Sequence, residues 1–127
     1  MNYILDTHTL LWSIFDSDKL SKSAQKIILD EDSRKFISVI SLWEIAIKNR
    51  IGKLPFPNGI ADIFYGVEVM GYGMAKVEHS HFEAYAELPL IHRDPFDGMI
   101  IATAIAEDMA IITADENIQK YDVSWVW

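Results

Sequence analysis

Short β-branched apolar runs alternate with segments of helical period along the whole of this chain, an arrangement that predicts an α/β domain: a three-layer α/β/α sandwich around a central parallel sheet. A second observation is the size and content of the core. The 127 residues are 50% hydrophobic and 12% aromatic, and a chain of that length buries roughly two-thirds of its surface. Third, no repeat, low-complexity tract or linker interrupts the pattern, so residues 1–127 read as one domain. There is no cysteine, which excludes disulfide scaffolds, zinc ribbons and thiol catalysis.

Residues 2–5 are a short apolar run closed by Asp6 and Thr7, hence a buried strand. Leu10, Leu11, Ile14 and Phe15 have helical spacing, and the polar segment 16–19 ends that helix. A second helix is expected over 21–30, with Ala24, Ile27 and Ile28 on one face. The β-branched run 36–40 predicts a second strand. It leads into Ser41-Leu-Trp-Glu44, whose Ser-x-x-Glu spacing is that of a capping box opening a helix that runs to about Gly52. Pro55, Pro57 and Gly59 mark a loop, 60–65 a short helix, 74–77 a weak third strand and 81–87 a helix. After a connection through Pro89 and Pro95, residues 96–107 form a strongly apolar helix. The chain closes with a strand at 110–113, a short helix at 115–120 and a strand at 123–126.

Eleven Lys and Arg against nineteen Asp and Glu give a net charge of −8, so binding to nucleic acid by bulk electrostatics is disfavoured. Phosphate chemistry through a bound cation is not. The first residues carry no positive region and reach Asp6 at once, unlike a signal peptide. No apolar run has the length of a membrane span. A cytoplasmic protein without membrane contact is the expectation.

In a parallel sheet the carboxyl ends of all strands share one edge, where ligands bind. Asp6 ends the first strand and Asp115 follows the fourth; Glu44 and Asp97 lie in the first turns of helices at the same edge. Each has a structural explanation. Asp6 and Asp115 suit N-caps, Glu44 suits the capping box, and Asp94-Pro95-Phe96-Asp97 reads as an N-cap, a first-turn proline and an acid complementing the helix dipole. Together they are harder to explain so. At ~6 Å and an effective dielectric of ~20, each like-charged pair costs about 3 kcal/mol, and four acids make six pairs. Such a cluster needs protons or a cation, and oxygen donors favour a hard ion, Mg²⁺ or Mn²⁺.

The segments ILDTHTLLW (4–12), SVISLWEIAIK (38–48), RDPFDGMIIA (93–102) and ITAD (112–115) resemble the motifs of PIN domains, in that family's order and spacing across the whole chain. More narrowly, they resemble the VapC-like ribonuclease toxins of bacterial toxin–antitoxin pairs. The resemblance implies a PIN-like, Rossmann-like sandwich and a Mg²⁺-dependent endoribonuclease, with Mn²⁺ as substitute. It makes Asp6, Glu44, Asp97 and Asp115 the catalytic and metal-binding quartet, with Thr113 orienting a carboxylate and Asp94 beside it. It further implies an RNA substrate, a cognate antitoxin and a homodimer. Where relatives often carry Arg after the third acid, this chain has Gly98.

Lys48, Arg50 and Arg93 are candidates for RNA contact; Lys48, Arg50 and Lys53 form the one basic cluster, which also suits a helix carboxyl end. Trp12, Phe15, Trp43 and Ile47, with Leu42, are core candidates by default and, by the resemblance, antitoxin-groove candidates. His79 and His81 have metal-pair spacing but read as surface or capping residues, and His8 as a helix-start histidine. A non-catalytic PIN-like binding module is the main alternative. A phosphatase of the haloacid-dehalogenase type needs an acid where His8 stands.

Overall fold

All five strands run parallel, in the order β3-β2-β1-β4-β5, in a computed structural model that describes residues 1–127. The strands are β1 (Asn2–Leu5), β2 (Arg34–Ser38), β3 (Gly73–Ala75), β4 (Ala110–Ile112) and β5 (Trp125–Val126). The helices are α1 (Thr7–Phe15), α2 (Lys22–Leu29), α3 (Val39–Arg50), α4 (Ala61–Met70), α5 (His79–Ala86), α6 (Pro95–Glu107) and α7 (Glu116–Gln119). A short 3-10 turn at Ser17–Lys19 sits between α1 and α2. None of the helices is long and apolar enough to cross a membrane.

The layers follow from the handedness of the crossovers. From β1 the chain steps to β2 and β3 in one direction, then returns across the sheet to β4 and β5. Right-handed connections in opposite directions must lie on opposite faces. Accordingly Leu5, Ile37 and Ile112 pack with Leu10, Ala24, Ile28, Ile45, Ile63 and Val67 from α1–α4. The alternate residues Ile4 and Ile111 pack with Ile100, Ile101, Ala104 and Ile118 from α6 and α7. β4 and the carboxyl halves of β1 and β2 are buried on both faces, and that is why they read as apolar runs.

The register places the edge that matters. Leu5 pairs with Ile37 on one side and Ile112 on the other, so Asp6, Ser38 and Thr113 leave the sheet together. Because the strand order reverses about β1, the gap between the ends of β1 and β4 is the topological switch point, the usual binding crevice of open α/β sheets.

Two sequence-level expectations need correction. The helix after β2 starts at Val39, with Ser38 as its N-cap accepting from the Ile40 N–H at 3.0 Å. Val39 and Ile40 suit a strand by propensity, but β2 ends where its pairing with β3 ends, at Ser38 opposite Ala75. Ser41 therefore caps nothing: its buried Oγ accepts from Thr7 Oγ1 at 3.0 Å and ties α3 to α1. The helix expected over 60–65 runs on to Met70 and stops at Gly71, which takes the left-handed conformation at φ 71°.

Gly98 has a packing role. It is buried in α6, and a Cβ there would meet the Tyr85 ring edge of α5 at 2.6 Å, so a longer residue requires that ring to swing away.

Candidate active site

Asp6 is 3% exposed and does two things. Its Oδ1 accepts from the Thr9 N–H at 2.8 Å as the N-cap of α1, and its Oδ2 accepts from the Thr113 hydroxyl just beyond β4. Thr113 Oγ1 in turn accepts from the Asp115 N–H at 3.0 Å. The residue that orients a carboxylate thus serves Asp6, across 107 positions of sequence, and links it to the turn that presents Asp115. Asp115 caps α7 through the Asn117 N–H at 2.8 Å. Capping and site placement are compatible: each cap uses one carboxylate oxygen.

Glu44 is in the second turn of α3, because that helix begins at Val39. It is 5% exposed, so neither a capping box nor a solvated helix face accounts for it. Lys48, one turn on, donates to Oε2 at 2.8 Å, while Oε1 is buried with no hydrogen-bond partner. A buried orphan oxygen on an ionisable group is rare and calls for a donor or a cation. Lys48 is therefore occupied by Glu44, not free for RNA as its sequence position suggests; Arg50 and Arg93 are exposed.

Asp97 lies in the first turn of α6 behind Pro95, below the Asp94 cap, whose Oδ1 accepts from the N–H groups of Phe96 at 2.9 Å and Asp97 at 3.2 Å. Its side chain is 13% exposed. Burial first, then the charges of Asp94, Asp6, Asp115 and Glu44, push its carboxyl up to about 8. All four other acids thus bear on one group. Burial also raises Asp6, against the hydrogen bonds from Thr113 and Thr9.

Between Asp6, His8, Trp12, Ala114 and Asp115 is an open pocket of about 210 Å³. A larger one of about 530 Å³ lies among Ile28, Arg34, Phe36, Val69 and Gly73, where β2 and β3 begin. We assign the chemistry to the smaller, since the larger opens at the amino ends of the strands and holds no acid cluster.

The aromatic candidates make four ring contacts. Trp43, 60% exposed, meets Phe96 edge-on at 5.3 Å; Phe15 stacks on Phe56 at 5.3 Å; Trp12 lies 5.8 Å from both His8 and Trp127. Ile47 is exposed. His81 takes the capping role rather than the surface one: it is 1% exposed, with Nδ1 accepting from the Glu78 N–H at 3.1 Å in the capping box of α5 and Nε2 facing Glu107 at 2.9 Å. It joins the start of α5 to the end of α6. His92 Nε2 lies 3.3 Å from Asp97 Oδ2.

This chain belongs to the PIN domain family, whose model matches residues 3–124. No curated protein sequence matches the chain significantly. Among solved structures, the chain is similar in fold to VapBC2 from Rickettsia felis, solved bound to a promoter DNA fragment, at 17% identity and TM-score 0.75, covering 100% of this chain and 99% of that one. It is also similar to VapBC-1 from nontypeable Haemophilus influenzae, at 21% identity and TM-score 0.67 over 99% and 97% of the chains. A third is VapBC-5 from Mycobacterium tuberculosis, of a family of toxin–antitoxin systems, at 16% identity and TM-score 0.63 over 98% and 95%.

Proposed function

We propose that this PIN domain is a metal-dependent endoribonuclease and the toxin of a toxin–antitoxin pair. The observation that carries the nuclease reading is Asp97: burial first, and then four neighbouring carboxylates, hold its proton on to about 8, and a divalent cation among these acids would relieve the repulsion. The donor set fits such an ion, because Glu44 Oε1 is buried without a partner and the carboxylate oxygens of Asp6, Asp97 and Asp115, those of Asp6 through the lone pairs not used by Thr9 and Thr113, are hard donors suited to Mg²⁺ or Mn²⁺.

Asp6, Asp97 and Asp115 would hold the ion. When bound, it stabilises charge on a phosphoryl oxygen and makes water more acidic. Asp6 is kept in one orientation by Thr113 and Thr9. Lys48 donates to Oε2 of Glu44, and Oε1 would take the proton of the water attacking phosphorus. Exposed Arg50 and Arg93 suit the RNA backbone. The purified chain is expected to cut total RNA with Mg²⁺ or Mn²⁺, to stop in EDTA and to resume when the ion is restored. Full cleavage in EDTA would falsify the metal reading.

The toxin reading rests on the likeness of fold to toxin–antitoxin structures and on exposed Trp43 with half-buried Phe96 beside the acids. Trp43 precedes Glu44 and Phe96 precedes Asp97, so an apolar helix lying on Trp43 places its neighbouring side chains at the acid cluster. A basic side chain there substitutes for the cation. Trp43→Ala is expected to weaken a copurifying antitoxin at least ~10-fold, a loss usual for a buried aromatic anchor, and Lys120→Ala to leave it unchanged. Calorimetry of the pair decides this, and equal effects would sink the groove assignment.

A further inference from the structure

His92 approaches the acid cluster from a rigid support. Its backbone N–H donates to the Tyr121 hydroxyl at 2.9 Å, and Tyr121 is buried in the core. Two residues on, Asp94 is fixed by its two capping bonds through Oδ1, which leaves Oδ2 free. Ligand atoms of His92, Asp94 and Asp97 all lie within 4.8 Å of one another.

The approach of His92 to Asp97 differs in kind from the other histidine–acid contact in the molecule. His81 and Glu107 are 2.9 Å apart and aligned as a hydrogen bond. His92 Nε2 and Asp97 Oδ2 are 3.3 Å apart but not so aligned, which suits two donors directed at a shared point beside them. A second feature lies on the neighbouring helix α3. Trp43 meets Phe96 edge-on at 5.3 Å, and the residue after Trp43, Glu44, has a buried oxygen with no hydrogen-bond partner.

We propose that His92 is a direct metal ligand, its Nε2 joining one oxygen each of Asp94 and Asp97 in a mixed nitrogen–oxygen position that takes Mn²⁺ and later first-row divalent ions in preference to Mg²⁺. The proposal rests on the metal reading above and changes its expected ion. Imidazole is a softer donor than carboxylate, and it adds more to the binding of a transition ion than to that of Mg²⁺, which prefers oxygen and water. The short span of chain carrying all three groups is held at Tyr121 and at the α6 cap, so the donors are arranged before the ion arrives.

The test is Mn²⁺ and Mg²⁺ titration of the metal-free full chain by calorimetry, with electron spin-echo modulation of the Mn²⁺-loaded protein. Mn²⁺ is expected to bind at least ~10-fold tighter than Mg²⁺. Its echo should carry the nitrogen modulation of a coordinated imidazole. His92→Ala and His92→Gln should both abolish that modulation and weaken Mn²⁺ ~10-fold or more, with Mg²⁺ changed less than ~3-fold; circular dichroism confirms their folds. His8→Ala is the control for the other histidine beside the pocket, and should keep the modulation. Modulation that survives in folded His92 variants, or disappears in His8→Ala, overturns the proposal. In either case, loss of both ions from Asp97→Asn leaves the acid site standing and removes only the nitrogen ligand. Unchanged binding in Asp97→Asn overturns the proposal and the metal reading together.

Discussion

Asn in place of Asp97 is expected to abolish RNA cleavage and, in the same protein, to raise the melting temperature of the metal-free form. The two effects have one cause. Asp97 is held in place by burial and surrounded by Asp94, Asp6, Asp115 and Glu44, so its charge is useful with a cation present and unfavourable without one. At pH 7 the metal-free folded chain keeps a proton on Asp97 that the unfolded chain releases, and that difference is a loss of stability. Asn has no such proton, and its amide needs to replace no hydrogen bond that the Asp97 side chain makes. A gain of about 1–3 kcal/mol, or roughly 3–10 °C, is expected. Turnover should fall at least ~100-fold, the scale seen when one preorganised stabilising group is removed, and added Mg²⁺ or Mn²⁺ should no longer raise the melting temperature. Asp6→Asn provides the contrast. It should lose activity as fully, without the gain in stability, because an amide nitrogen at Oδ2 cannot accept from the Thr113 hydroxyl. Near-normal cleavage in both variants would return the acids to a capping role; calorimetric melting and a fluorogenic RNA assay measure the two halves separately.

What was legible in the sequence was whatever is encoded locally. The strand cores are short β-branched runs with no competing helical period, and α6 announces itself by Asp94, Pro95 and an apolar stripe. Ser41-Leu-Trp-Glu44 misled because Ser-x-x-Glu is a local rule and the start of α3 is set elsewhere, by where the β2–β3 ladder ends. The error bore on function: as a capping residue Glu44 has a full structural explanation, whereas in the second turn, buried with an orphan oxygen, it has none. Lys48 and Glu44 are one helical turn apart, the spacing at which opposite charges meet, so their pairing is legible in the sequence. The Thr113–Asp6 and His81–Glu107 bonds span 107 and 26 positions, and no local pattern records them. Gly98 was visible as a departure, but its reason, the Tyr85 ring, comes from a neighbouring helix.

The metal-free protein is expected to become less stable as the pH rises from 5 to 8, opposite to the behaviour of a protein whose acids are salt-bridged. The Asp97 carboxyl sits at about 8 in the folded chain against an ordinary 3.8, and Asp6 is displaced in the same direction by burial. A group whose folded pKa is raised binds more protons folded than unfolded between the two values. Stability is then complete below the unfolded value and declines as the pH climbs toward the folded one. Each such acid contributes a slope of at most ~1.4 kcal/mol per pH unit. Urea denaturation in chelator-treated buffers at pH 5, 6, 7 and 8 reads the slope directly. Asp97→Asn should reduce it, leaving the part due to Asp6. Saturating Mn²⁺ should remove or reverse it, because ligands bind the ion only after losing their protons and the ion therefore stabilises the fold most at high pH. A stability that is level or rising across this range without metal would mean that the carboxylates do not crowd one another, and the case for a cation among them would fail with it.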